Sequence, residues 1–197
     1  TEDELWSILH KTNIEHGGEW IECRILSSGA RTNPWMQESS NKIIQSGEIV
    51  SFDTDMVGPY GYCADISRTY VEGNKFNNNQ KKLYSMAVEQ INHNARLIKN
   101  GMSFKEFTEK SWVLPEEYYG NRYSVMVHGI GLCDEWPAIR YPTDGGERKK
   151  KKKKNMTITV ESYIGKVGGN EGVKLEQQYL VGQNCLELMS HHPLEDI

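Results

Sequence analysis

VSFDTDMVGPYGYCADISRTY, residues 50–70, carries three carboxylates in two short segments joined by a Gly/Pro turn. Val50, Phe52 and Thr54 alternate with Ser51, Asp53 and Asp55, which is the period of a β-strand. The alternation predicts both aspartates on one face, about 6–7 Å apart along the strand. Gly58-Pro59 and Gly61 break the strand, and residues 62–70 read as a returning strand that brings Asp65 back beside the first pair. Like charges gathered this way repel, and burying them without a counter-charge is strongly unfavourable. A divalent metal ion, or two, answers that need, because carboxylate oxygens suit hard or borderline cations. The competing arrangement has Asp53 and Asp55 facing solvent and Asp65 paired with Arg68. On this stretch alone the two stand level.

The rest of the chain sets limits. Its 197 residues suffice for one large domain with a real core. Charged residues make up 25% and the net charge is −4, so no general attraction to nucleic acid or membrane is expected. No apolar run nears the ~20 residues that cross a bilayer, and no charged-then-apolar leader is legible. Cys23, Cys63, Cys133 and Cys185 are widely spaced with no CxxC pair. That argues against a zinc finger and for a reduced, cytoplasmic protein in which all four are free and buried.

Residues 1–16 open as a helix, with Thr1 and Glu4 placed for a capping box and Gly17-Gly18 to stop it. A chain opening on a helix cap, without Met, looks like part of something longer. Residues 20–26 are strand-like, residues 27–34 a loop, and residues 39–45 a short helix before Gly47. Leu83, Met86, Ala87, Ile91, Ala95 and Ile98 form the apolar stripe of a long helix ended by Gly101, and residues 103–110 make a shorter one. Both read as scaffold, with His93 at the surface or packed.

Residues 124–127 form a strand that delivers His128 at its end, and Gly129 and Gly131 allow close approach of the backbone to a ligand or metal. Residues 148–154, RKKKKKK, repel one another and read as a mobile, solvated loop. Residues 156–161 and 173–181 alternate like strands and present Glu161 and Glu176, with a glycine-rich connection between. Each of these residues has an ordinary structural explanation singly; jointly they make a ligand set.

Asp…Asp in a strand–turn–strand ending Asp-Ile-Ser-Arg-Thr, then His-Gly-Ile-Gly-Leu, Thr-Val-Glu and Gly-Val-Lys-Leu-Glu, closely resembles the creatinase/aminopeptidase P/methionine aminopeptidase (pita-bread) superfamily. The resemblance implies an α+β pita-bread metal domain over residues 1–197, lacking the N-terminal domain of full-length creatinase-like members. It implies a dinuclear site with Asp53 and/or Asp55, Asp65, His128, Glu161 and Glu176 as ligands. The family spaces its two aspartate ligands by eleven residues; here Asp65 lies twelve after Asp53 and ten after Asp55, so either or both ligate. Proline-specific members use three further histidines, at places where this chain has Trp35-Met36, Ser124 and Asp134-Glu135. Within the superfamily the combination is similar to that of the DddP-type dimethylsulfoniopropionate (DMSP) lyases. That likeness implies two divalent ions, with iron favoured and manganese or zinc acceptable. It also implies Asp134 as base, Tyr123 hydrogen-bonding the substrate carboxylate or assisting proton transfer, and Trp35 or Trp136 facing a sulfonium. The expected substrate is a small molecule and the expected full-length assembly a homodimer. The competing readings are an Xaa-Pro peptidase and a metal-binding pseudoenzyme.

Overall fold

The structure, a computed structural model, describes residues 1–73, 75–145, 151 and 153–195. Helix α1 (Glu2–Glu15) starts at a capping box. Thr1 Oγ1 accepts from the Glu4 amide at 3.2 Å and the Glu4 carboxylate accepts from the Thr1 amino group at 2.7 Å, satisfying donors that a helix start leaves free. Six short strands follow: β1 (Trp20–Ile21), β2 (Leu26–Ser28), β3 (Ile49–Asp53), β4 (Met56–Val57), β5 (Cys63–Ala64) and β6 (Ser67–Val71). Helices α2 (Asn78–Leu97), α3 (Phe104–Lys110) and α4 (Glu116–Tyr119) lead to β7 (Val125–Gly129), β8 (Ala138–Arg140), β9 (Thr157–Gly165), β10 (Gly172–Val181) and β11 (Leu186–Leu188).

The strands make three antiparallel sheets, ordered β1-β4-β5, β2-β3-β6 and β11-β10-β9-β7-β8. One plan occurs twice. A helix capped by Thr1 or Ser103 precedes three strands that pair in sequence order, β2-β3-β6 in the first half and β7-β9-β10 in the second. Strand β10 also lies against β6 and β3, which brings the carboxylates of both halves together. Helix α2 covers β9 and β10, and its Leu83, Ala87 and Ile91 share one buried cluster with Val127, Val160 and Leu175. Each such side chain contributes about 1.5–3 kcal/mol by leaving water. In the first half, α1 leaves an apolar groove of about 380 Å³ lined by Trp6, Leu9, Leu26, Val50 and Phe52 among others. No carboxylate of residues 50–70 lines it.

Several local expectations change. Residues 39–45 form no helix. The carbonyls of Ser40 and Lys42 instead accept from the Asp3 and Glu2 amides, both at 3.0 Å, so this segment caps α1. The strand expected over residues 20–26 is split, because β1 pairs with β4 whereas β2 pairs with β3. Helix α2 stops at Leu97 rather than running to Gly101. The cysteines are free, but none is buried: Cys133 and Cys185 are exposed, and Cys23 and Cys63 are partly covered. Of the basic run, residues 148–150 and 152 lie outside the described residues, and Lys154 donates its amide to Asn100 Oδ1 at 3.1 Å.

Candidate metal centre

Strand β3 ends at Asp53, so strand period does not carry Asp55. Asp55 has φ +34°, a left-handed kink that costs a non-glycine residue on the order of 1–3 kcal/mol. The kink is held by Thr54, whose hydroxyl donates to the Ala64 carbonyl at 3.2 Å and accepts from the Ile66 amide at 2.9 Å. Asp65, in the short link between β5 and β6, accepts from the Asp55 amide at 3.4 Å. All three aspartates are buried. Arg68 leaves Asp65 alone: it donates to the Glu176 carbonyl at 2.6 Å, to Gln177 Oε1 at 2.8 Å and to the His192 carbonyl. The solvent-facing arrangement is thereby overturned.

The second half supplies the other donors. His128 lies on β7, and Glu161 on β9 stands directly opposite Glu176 on β10. His128 Nε2 is 3.1 Å from Glu176 Oε1, 3.5 Å from Asp65 Oδ2 and 3.7 Å from Glu161 Oε1. Its Nδ1 lies 3.0 Å from the Gly129 carbonyl. A carbonyl only accepts, so neutral His128 keeps its proton on Nδ1 and leaves Nε2 free as a ligand. Of three groups of potential ligand atoms lying within 4.8 Å of one another among the described residues, one joins Glu22, Cys63 and Asp134 at the edge, and two come from Asp65, His128 and Glu176 and from Asp55, Asp65 and Asp134. Asp65 belongs to the last two. Lys174 reaches into the same cluster, 2.8 Å from Asp53 Oδ2.

The charges of this cluster are out of balance. Burial, then the neighbouring Asp53, pushes the Asp55 carboxyl up to about 8. Burial, with Glu176 and Asp53 beside it, holds Asp65 well above the usual carboxylate range. Burial does the same to Glu161, against the pull of Lys174. Glu176 goes the other way: burial opposes ionisation, but Lys174 and His128 overcome it and hold its carboxyl low. Burial would lower His128, yet Asp65 and Glu176 raise it well above normal. Asp55 Oδ2, Asp134 Oδ2 and Glu161 Oε1 are buried without a hydrogen-bond partner. Oxygen-rich donors with one imidazole, unpartnered oxygens and a shortage of positive charge fit divalent cations.

Asp134 Oδ1 lies 3.9 Å from His128 Nδ1, and burial raises the Asp134 carboxyl to about 6. Tyr123 donates to Glu135 Oε1 at 2.6 Å, and burial raises its phenol far above normal. Trp35 is buried and stacks on Tyr163, whereas Trp136 is half exposed. Gly129 serves the protein itself: a Cβ there would lie 2.3 Å from the Trp136 carbonyl oxygen, so its close approach is to the 136–137 backbone. Ser124 Oγ accepts from Arg140 at 2.5 Å. His93 Nε2 meets the Lys110 carbonyl at 3.0 Å, far along the chain from these carboxylates.

This architecture is the α+β pita-bread fold. The Xaa-Pro dipeptidase from Bacillus anthracis superposes with a TM-score of 0.85 at 25% identity, covering 100% of this chain and 54% of that one. The chain belongs to metallopeptidase family M24, which it matches over residues 1–183. It is 42% identical to dimethylsulfoniopropionate lyase DddP of Roseovarius nubinhibens, over 99% of this chain and 44% of that protein. It is 39% identical to dimethylsulfoniopropionate lyase DddP of Roseobacter denitrificans, over 98% and 44%. The chain therefore spans less than half the length of these curated relatives.

Proposed function

We propose that residues 1–197 form the catalytic domain of a metal-dependent DMSP lyase, which cleaves DMSP to dimethyl sulfide and acrylate by β-elimination. One observation carries the reading. The implied metal ligands converge in a single buried cluster, while Trp35-Met36, Ser124 and Asp134 stand where proline-specific relatives would have histidines. Among the described residues, His128 is the histidine whose ring meets these carboxylates. The identity to the two DddP proteins supports the same substrate.

Asp53, Asp55, Asp65, His128, Glu161 and Glu176 would hold two divalent ions, with iron favoured and manganese or zinc chemically acceptable. Bound there, such ions would polarise the substrate carboxylate, acidify its α proton and stabilise enolate-like charge. Asp134, whose carboxylate reaches the same cluster beside Asp55 and Asp65, would be the base that takes that proton. The C–H electron pair becomes the new C=C bond, and the C–S bond breaks as its pair leaves with sulfur. The proton stays on Asp134 until solvent removes it. Departing dimethyl sulfide is neutral, so no acid is needed. Tyr123 hydrogen-bonds Glu135, which fixes its ring beside the cluster, and Trp35 or the half-exposed Trp136 would face the sulfonium. A cytoplasmic location and a full-length homodimer belong to the same reading.

The alternative is an Xaa-Pro peptidase, favoured by the fold shared with the Bacillus anthracis enzyme. Full-length protein loaded with metal should release dimethyl sulfide from DMSP, read by headspace gas chromatography, and hydrolyse Xaa-Pro peptides poorly. Proline release without dimethyl sulfide would favour the peptidase. Neither product, with metal bound, would favour a metal-binding module.

A further inference from the structure

Lys174 stands two residues before Glu176 on β10, so both side chains leave the same face of the strand. Its side chain is wholly buried. Nζ lies 2.8 Å from Asp53 Oδ2, 2.9 Å from Glu176 Oε2, 3.1 Å from Glu161 Oε2 and 2.8 Å from Ser67 Oγ. The ammonium thus takes one oxygen from each of three carboxylates. The remaining oxygens have other surroundings. Asp53 Oδ1 accepts from Ser67 at 2.6 Å, Glu176 Oε1 faces His128 at 3.1 Å, and Glu161 Oε1 is buried without a hydrogen-bond partner. The rings of Trp35 and Tyr123 have their centres 5.7 Å and 5.3 Å from Nζ.

We propose that Lys174 is a resident counter-ion of the metal centre. It holds Asp53, Glu161 and Glu176 together before metal arrives and shares those carboxylates with the ions afterwards. The inference rests on the metal-centre part of the proposed function. The ammonium offsets part of the negative charge that Asp53, Glu161 and Glu176 bring together, and the ions would offset the rest. The Lys174 backbone on β10 is held by the Thr69 side chain on β6: Lys174 N donates to Thr69 Oγ1 at 3.2 Å, and Thr69 Oγ1 donates to the Lys174 carbonyl at 2.7 Å.

The test compares full-length wild type with Lys174→Met, each stripped by chelator and then reloaded with Mn²⁺, by calorimetry and elemental analysis. Stripped Lys174→Met should melt well below stripped wild type, because its carboxylates have lost their cation. Reloading should close most of that gap, so the metal-induced rise in melting temperature is larger in the variant. Lys174→Arg should behave as wild type. Equal or smaller rises in Lys174→Met would overturn the counter-ion role and leave the metal centre standing. A wild type that holds no metal would overturn both. If Lys174→Met fails to fold in either state, Lys174→Gln, which keeps an N–H donor without the charge, is judged by the same comparison.

Discussion

Glu161 and Glu176 face each other directly across the β9–β10 pair, and both are buried. Like charges opposed on antiparallel strands destabilise the pair, and low polarity around them deepens the cost. Lys174 relieves part of it; Glu161 nonetheless keeps a raised pKa and an unpartnered oxygen. A position so unfavourable for folding alone is one where a neutral isostere stabilises the metal-free protein and harms the metal-bound one. Glu161→Gln should therefore melt at or above wild type after chelation, yet retain less than half of the metal. A lower melting point after chelation, together with full metal content, would contradict this account.

Asp134→Asn keeps the side chain's size and its hydrogen-bonding shape. If Asp134 is the base, turnover of DMSP should fall by about 10²–10⁴-fold, the usual worth of a positioned base, with metal content unchanged. Loss of metal along with turnover would make Asp134 a ligand, consistent with its place beside Asp55 and Asp65. Unchanged turnover would pass the role of base to another group, with Tyr123 next.

Part of this cluster was legible in the sequence because Asp53, Glu161 and Glu176 sit on strands, whose period of two fixes the face each one leaves. Glu161 and Glu176 could be placed that way, and so could Asp53. Asp55 could not: its approach to Asp65 depends on a left-handed φ that no alternation encodes. Lys174 passed as one letter of a motif, although its spacing of two from Glu176 already put both on one face. Residues 39–45 misled because their side chains suit a helix locally. Tertiary contacts with the start of α1 spend their carbonyls elsewhere.

Gly129 offers a test of how the chain end of β7 is built. An added Cβ would meet the Trp136 carbonyl oxygen at 2.3 Å and Pro137 Cδ at 2.8 Å, and the oxygen belongs to backbone that cannot rotate away. The Gly129 amide also donates to the Pro137 carbonyl at 2.9 Å, so the two segments are tied. Gly129→Ala should cost about 1–3 kcal/mol, as overpacking does. It should also weaken metal retention through the adjacent His128. Urea denaturation with a cost below ~0.5 kcal/mol, the scale of ordinary surface changes, would show that the segment yields freely.

Glu2 gives a pH dependence separate from the metal centre. Its side chain is fully buried, accepts from the Ser28 amide and hydroxyl at 2.8 Å each and from the Ser40 hydroxyl at 2.7 Å, and pairs with Arg31. Burial alone would raise its carboxyl, but the hydroxyls of Ser40 and Ser28 and the Arg31 guanidinium together bring it below the ordinary value of 4.5. A carboxyl depressed in the folded state binds its proton more readily when unfolded. Its stabilisation is therefore present above pH 4.5 and lost as pH falls through the folded value. Glu2→Gln should lose about 2 kcal/mol at neutral pH, the scale of hydrogen bonds to a charged group. As the solution is acidified below 4.5, the wild type should lose stability toward the variant and the gap should narrow. Urea denaturation of both proteins across that range measures it. A gap that stays constant with pH would mean that the interaction depends on shape and not on the Glu2 charge.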